Sequence, residues 1–412
     1  MNETAAYLVD QVIGEVPIRH WVLTLPPPLR YRVAHDTSLC SAVLAAFVRS
    51  VFGCLRAKAK RELDLRSLKQ AEAAAVTSIQ RASSHLALNP HFHSLVTDGV
   101  YVQEEGSAKP TFRALSAPTK AEVANVAWQT CKRVCKALRK RGLWLDSDAA
   151  GDGDGVQDPL VQEEPGLAAC CVASLQGVLL LGPRAGQRLM RLYGHAAGSD
   201  AGIDRAPQAQ VQGYGFNVHA QTRIAAHDRQ GLGRLCRYLH RPPLAQGRLE
   251  LRPNGNVRLG LKRQWEDGTQ SIVFEPLDFL SKLAALVPPP RMHRTRYHGL
   301  WASHAKARAA VVPACAGDAQ CPDGHADSRG GTEKAPAGER RSKRYAWAKL
   351  MARAFAIDVL CCAKCGSRMQ RIAFVTRPAS IRAVLSSVGL PADAPEPAPA
   401  RRDGQQDLFA VA

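Results

Sequence analysis

Residues 17–25, Pro17-Ile18-Arg19-His20-Trp21-Val22-Leu23-Thr24-Leu25, gather Ile, Trp, Val and Leu in a short run that Pro26-Pro27-Pro28 stops, the pattern of a buried strand. Over residues 37–63, Leu39, Val43, Leu44, Phe47, Val48, Val51 and Leu55 recur at helical spacing, with Lys and Arg gathered after Arg56, which predicts a long amphipathic helix. Two more strand-like runs, 75–81 and 91–102, predict an antiparallel pair joined through Asn89-Pro90. A second helix is predicted over 119–141, with Val123, Val126, Ala127, Thr130, Val134 and Leu138 on one side and Lys132, Arg133, Lys136, Arg139 and Lys140 elsewhere.

The period is lost over residues 146–166, an acidic, Gly-rich stretch read as a disordered excursion. Its Gly-Asp-Gly-Asp-Gly run lacks the closing Glu of a calcium loop. Order resumes over 167–181, with a helix expected near 187–193, a strand at 216–224 and a helix at 228–239 ended by Pro242-Pro243. Three short strands near 248–252, 257–262 and 269–274, separated by Asn254-Gly255 and Asp267-Gly268, predict a meander. The expected organisation is an α+β fold. Residues 1–145 form the first part of one domain, 167–312 its second part, 313–343 a linker, 344–390 a small C-terminal region and 391–412 a disordered tail.

Composition narrows the function. The 412 residues carry 55 Lys and Arg against 36 Asp and Glu, a net charge of +19, which favours a polyanionic partner such as nucleic acid. At 46% hydrophobic and 22% charged, the chain reads as globular, and the sequence pattern gives no membrane span. Twelve cysteines and a start without signal-peptide character predict free thiols in a reducing cytoplasm.

Two motifs carry candidate chemistry. In His91-Phe92-His93 the two-residue period of a strand puts both imidazoles on one face and Phe92 behind it. Two neutral imidazoles so placed can grip one divalent ion and leave positions open for a phosphate oxygen. A histidine-triad nucleotide hydrolase would need a third His at the next alternate position, which is Leu95. Tyr238 lies on the last turn of the helix before Pro242, with Arg234 at i−4 and Arg241 at i+3. A phenol flanked by cations suits attack on a phosphodiester, because positive charge offsets what develops in the transition state.

These motifs and their flanks form a larger pattern. Asn89-Pro90-His91-Phe92-His93-Ser94-Leu95-Val96, Asp98-Gly99-Val100, Val76 with Ile79-Gln80-Arg81, and Trp21-Val22-Leu23-Thr24-Leu25-Pro26 resemble the rolling-circle transposases of the insertion-sequence 91 family, which are HUH endonucleases. The resemblance continues through Gln176-Gly177, Ala185-Gly186, residues 235–243, Asp267-Gly268-Thr269, Phe274-Glu275-Pro276-Leu277 and residues 291–298, so it spans roughly 5–390. It implies an antiparallel HUH-endonuclease-like sheet with flanking helices, Mg²⁺ or Mn²⁺ held by His91 and His93, and Tyr238 as nucleophile on single-stranded DNA. Arg234, Arg237 and Arg241 would face phosphates. The third metal ligand is Gln80 or His219, ranked equally.

Two departures from the family stand out. Many members carry two tyrosines four residues apart, whereas here Arg234 occupies the earlier position, as in the single-tyrosine subgroup. Members also carry a cysteine-rich zinc module ahead of Ala5-Ala6-Tyr7, and this chain is expected to lack it. That leaves a second reading, a truncated and catalytically decayed copy that only binds DNA. Cys362 and Cys365, followed by Gly366, form half of a zinc ribbon, which Cys315, Cys321 and His325 would have to complete; a turn without zinc is the favoured reading. Gln405-Gln406-Asp407-Leu408-Phe409 resembles the peptides that bind the bacterial sliding clamp, with Gln405, Leu408 and Phe409 as the contacts.

Overall fold

A computed structural model of the chain describes residues 2–104, 107, 109–143, 158–182, 184–193, 209–210, 215–244, 246–313, 345, 347–362, 364–370 and 375–393. Two units are present, one of residues 8–315 and one of residues 1–7 with 316–412. From the start the chain runs through helix α1 (Asn2–Gln11), strand β1 (Ile18–Thr24), helices α2 (Pro27–His35) and α3 (Thr37–Glu62), and strands β2 (Ala71–Glu72), β3 (Ala74–Ala82), β4 (Leu88–Thr97), β5 (Gly99–Val102) and β6 (Thr111–Ala114). Helices α4 (Lys120–Lys140), α5 (Pro159–Glu163) and α6 (Pro165–Gln176) lead to β7 (Met190–Tyr193), β8 (Ala209–Gln210), β9 (Asn217–His219) and β10 (Arg223–Ile224). Helix α7 (Arg229–His240) precedes β11 (Leu249–Leu251), β12 (Val257–Gly260), β13 (Thr269–Phe274), α8 (Pro276–Leu286), β14 (Thr295–Gly299) and α9 (Arg308–Val311). In the second unit, α10 (Trp347–Phe355) and α11 (Pro378–Ser387) flank the Cys362–Cys365 turn.

The fold is α+β. Its main sheet is antiparallel in the order β14-β3-β4-β1-β9-β8, with β10 also paired to β1. Strand alternation gives this sheet two unlike faces. Trp21 and Leu23 of β1, Ile79 of β3, Phe92 of β4 and Val218 of β9 join one core with α3 and α4 residues such as Phe47, Val51 and Val134. The opposite face carries Ser78, Gln80, His91, His93, His20 and His219, as the register of the pairs Ser78↔His93, Gln80↔His91 and Val22↔His219 requires. A second sheet, β11-β12-β13-β7, packs with α6 and α8, and β2-β5-β6 forms a third.

Helix α3 is long and apolar enough to cross a bilayer by length and composition, yet most of its apolar window is buried in the fold. It starts at Asp36, whose carboxylate accepts from Leu39 N, and its buried Lys58 donates to Ala117 O at 2.9 Å and pairs with Glu122 at 2.8 Å. That pair ties α3 to the start of α4, where Thr119 and Glu122 form a capping box.

Several other cations terminate helices. Arg81 of β3 donates to the carbonyls of Ala34, Ala285 and Leu286, at the ends of α2 and α8. Lys282 donates to Ala173 O and Val178 O, both at 2.9 Å, where α6 ends, and burial pulls its pKa down to about 8. Arg229 donates to Gly14 O at 3.0 Å, to Ile13 O at 2.9 Å and to Val9 O, closing α1. Unsatisfied carbonyls and the negative end of the dipole make each helix terminus a cation site. Part of the basic excess is therefore structural.

Four expectations need correction. The helix expected at 187–193 is instead strand β7, because β13 offers an edge with which Met190, Arg191 and Leu192 pair. The 216–224 run is broken into β9 and β10, since Ala220 O accepts from Arg19 Nη1 at 3.1 Å rather than from a neighbouring strand. The 91–102 run divides at Asp98, and β5 leaves for the third sheet. Gly99 marks that corner: a Cβ there would stand 2.3 Å from Arg113 O. Finally, residues 159–163 and 165–166 are helical, because Asp158 caps α5 by accepting from Leu160 N and Pro159 and Pro165 each open a helix. Residues 146–157 of the acidic stretch lie outside the described residues, as do 394–412.

Two outcomes test this packing. Arg81→Met strands three buried carbonyls and should cost about 2–4 kcal/mol in denaturant unfolding; a loss under ~1 kcal/mol would contradict the capping role. Burial also lowers the pKa of His20 to about 3 and of His35 and His298 to about 4. The unfolded chain then binds more protons below its ordinary histidine pKa, so stability holds near neutrality and falls as pH drops from 6.5 towards 4. The fully buried His20 accounts for a loss of about 1.4 kcal/mol per pH unit in that window, and the more solvated His35 for less. The melting temperature should drop between pH 7.5 and pH 5.0; an unchanged value would count against these neutral buried rings.

Candidate active site

The site grows from β4. Phe92 is fully buried in the core, so His91 and His93 emerge together on the opposite face, with ring centroids 4.8 Å apart. Helix α7 lies over this face. Asp228 caps its start by accepting from Gly231 N at 2.7 Å, and a side chain at 231 would displace the cap, since a Cβ there would meet the Asp228 carboxylate at 2.0 Å. Leu232, Leu235, Cys236 and Leu239 form its buried side. Its last turn is anchored by β3, where Gln80 Nε2 at 2.9 Å and Ser78 Oγ at 3.1 Å both donate to Leu239 O. His240 is held as well: its Nδ1 lies 2.8 Å from Cys236 O, and its Nε2 accepts from Thr295 Oγ1 at 3.2 Å.

That anchoring delivers Tyr238 to the histidines. Its ring meets His93 edge to face, centroids 6.1 Å apart, and the Arg241 guanidinium covers it at 4.3 Å. Arg234, one turn earlier, is exposed, and Arg237 is half-buried. The tyrosine and both strand histidines therefore share one place.

The ring nitrogens show what the pair can bind. His91 Nδ1 lies 2.6 Å from Asn89 O, and a carbonyl only accepts, so Nδ1 carries the proton and Nε2 a bare lone pair. His93 Nδ1 lies 2.9 Å from Nε2 of His20, whereas His93 Nε2 is buried without a partner among the described residues. Burial holds His91, His93 and His20 neutral by lowering their pKa values, with the neighbouring imidazoles lowering His93 and His20 further. Neutral imidazoles presenting Nε2 fit a divalent cation. Among the described residues no group of three or more His, Cys, Asp or Glu is assembled for a metal.

The two candidate third ligands differ in placement. Gln80 stands directly opposite His91 in the β3–β4 ladder; its amide nitrogen is committed to α7, leaving Oε1 for a ligand. His219 is separated from His93 by Val22 of β1, and its Nε2 lies 3.0 Å from Gln221 Oε1. Elsewhere, Cys362 and Cys365 flank a turn closed by Gly366 N donating to Cys362 O at 2.8 Å. Cys365 Sγ lies 2.9 Å from Ser367 Oγ, a hydrogen bond that lowers its thiol pKa. Cys315, Cys321, His325, Gln405, Leu408 and Phe409 lie outside the described residues, and every described cysteine is a free thiol.

Sequence reasoning missed His20, Ser78 and Asp98. His20 was hidden in an apolar run, and only the register of β1 on β4 puts it beside His93. Asp98, buried, accepts from Arg19 at 2.7 Å and from Arg223 at 2.9 Å, fixing β10 and the end of β4 to β1. Removing one of the two donors to Leu239 O tests how α7 is held. Gln80→Leu should speed amide hydrogen exchange over residues 236–240 about fivefold, the equivalent of ~1 kcal/mol; unchanged exchange would show that Gln80 does not anchor the helix.

Residues 74–309 match the family described as "Putative transposase", a match that holds β3, β4, α7 and β14 and more than half of the chain. No curated protein and no solved structure matches the chain. By that match, the chain belongs to this transposase family.

Proposed function

We propose that this transposase is a metal-dependent HUH-type nickase that cuts and rejoins single-stranded DNA in rolling-circle transposition, as the resemblance to the insertion-sequence 91 family implies. The observation that supports it is the meeting of His91, His93 and Tyr238 on one face of the main sheet, with Arg241 over the phenol. The phenol oxygen of Tyr238 attacks a backbone phosphorus. A phosphorus–oxygen bond to tyrosine forms as the bond to the 3′ oxygen breaks, the phenol proton leaves to solvent and the 3′ oxygen gains one. The products are a 5′-phosphotyrosyl protein and a free 3′-OH. One phosphodiester replaces another, so joining is the same reaction reversed and no nucleoside triphosphate is consumed.

Bound Mg²⁺ or Mn²⁺ supplies polarisation of the phosphoryl oxygen and neutralises its charge. His91 and His93 would hold the ion through Nε2, with Gln80 Oε1 the better-placed third ligand, since it shares a ladder position with His91. The basic side chains Arg234, Arg237 and Arg241 on and just after α7 would meet backbone phosphates. The tail at Gln405, Leu408 and Phe409 would tether the enzyme to a sliding clamp.

The test is direct: the protein and Mn²⁺ are incubated with labelled single-stranded DNA bearing element ends, and a denaturant-resistant protein–DNA adduct is sought. Wild type forms it, and both Tyr238→Phe and the His91→Ala, His93→Ala double variant lose it by at least about 100-fold. An adduct that survives Tyr238→Phe contradicts the assignment, and a wild type that forms none on any end sequence leaves a DNA-binding role only.

A further inference from the structure

His20 plays no part in the chemistry above, yet it is 1% exposed, lies on β1, and stacks on His93 with ring centroids 5.0 Å apart and planes 17° apart. Its Nε2 is 2.9 Å from His93 Nδ1. Two proton placements satisfy that contact. In one, His20 donates, and His93 then carries its proton on Nε2, where a buried N–H without a partner faces the site and cannot bind a cation. In the other, His93 Nδ1–H donates to His20 Nε2, and His93 presents a bare lone pair beside that of His91. The first strands a donor at His93 and an acceptor at His20 Nδ1; the second strands only the His20 Nδ1–H once a ligand fills the site.

The arrangement matches that of the neighbouring ring. His91 donates its Nδ1–H to Asn89 O and so shows Nε2 to the same face. His93 lies in the middle of β4, its backbone carbonyls committed to the ladders with β1 and β3, so the acceptor for its Nδ1–H comes from a side chain of the adjacent strand. Val22, not His20, is directly opposite His93, and the diagonal offset of two residues lets the two nearly parallel rings meet edge to edge.

We propose that His20 is a positioning residue for the metal: it accepts the Nδ1–H of His93, fixing the tautomer and ring plane that leave His93 Nε2 as a ligand. This rests on the nickase reading, because it assigns His93 to a divalent cation. The role is that of the outer hydrogen-bond acceptor behind a ligating histidine, filled here by a second, buried imidazole in place of a carboxylate or carbonyl.

The experiment measures Mn²⁺ binding to the full chain, without DNA, from the loss of the free-ion electron paramagnetic resonance signal. His20→Phe keeps the ring volume and removes the acceptor; affinity should fall about 10–100-fold. His20→Gln returns an acceptor oxygen near the Nε2 position and should bind within about threefold of wild type, since an outer acceptor is worth only the 10–100-fold that its loss removes. His20→Phe binding as tightly as wild type overturns the positioning role while leaving the nickase reading intact. A wild type that binds no Mn²⁺ overturns both. Should His20→Phe fail to fold, ¹⁵N spectra of histidine-labelled wild type decide the matter: a His93 proton on Nδ1 supports the proposal and a proton on Nε2 overturns it.

Discussion

Phe92 lies at 0% exposure among Trp21, Leu23 and Phe47, and its burial is the constraint on which the site depends. Burying such a ring is worth about 1.5–3 kcal/mol. A slip of one residue in β4 would expose it and drive two imidazoles into an apolar core. The same two-residue period that fills the core therefore presents His91 and His93 towards α7, with no need for a loop to aim them. Strand pairing on both sides then adds its own members: β3 contributes Gln80 and Ser78, and β1 contributes His20.

Helix α7 completes the arrangement by a different device. Its apolar side supplies adhesion, but its depth and rotation are set by polar contacts at the last turn, where Gln80 and Ser78 hold Leu239 O and Thr295 holds His240. Tyr238 immediately precedes those anchors on the helix and so inherits their precision. Positive charge in the protein has two employments. Arg81, Lys282 and Arg229 close helix ends inside the fold, whereas Arg241 faces the phenol. A count of +19 alone does not separate them.

Long periodic segments were legible from the chain alone: β1, α3, α4, α7 and the β11–β12–β13 meander lie close to where the spacing of apolar residues places them. So was the shared face of His91 and His93, which follows from local geometry. What escaped depends on partners distant in sequence. Residues 190–193 become a strand because of an edge about eighty residues later, and β14 is short and weakly apolar yet forms the outer strand beside β3. His20 gave no signal of its own, since only the two-residue offset between β1 and β4 turns a histidine in an apolar run into a neighbour of His93. Arg81 looked like one more basic residue until the ends of α2 and α8 met around it.

The central claim is that His91, His93 and Tyr238 form one metal-centred site. Anomalous diffraction from crystals grown with Mn²⁺ tests it most directly. The account predicts a manganese peak within about 2.0–2.3 Å of Nε2 on both histidines, on the side of the sheet that faces the Tyr238 phenol. A peak bound elsewhere, or one that touches neither imidazole, would contradict it.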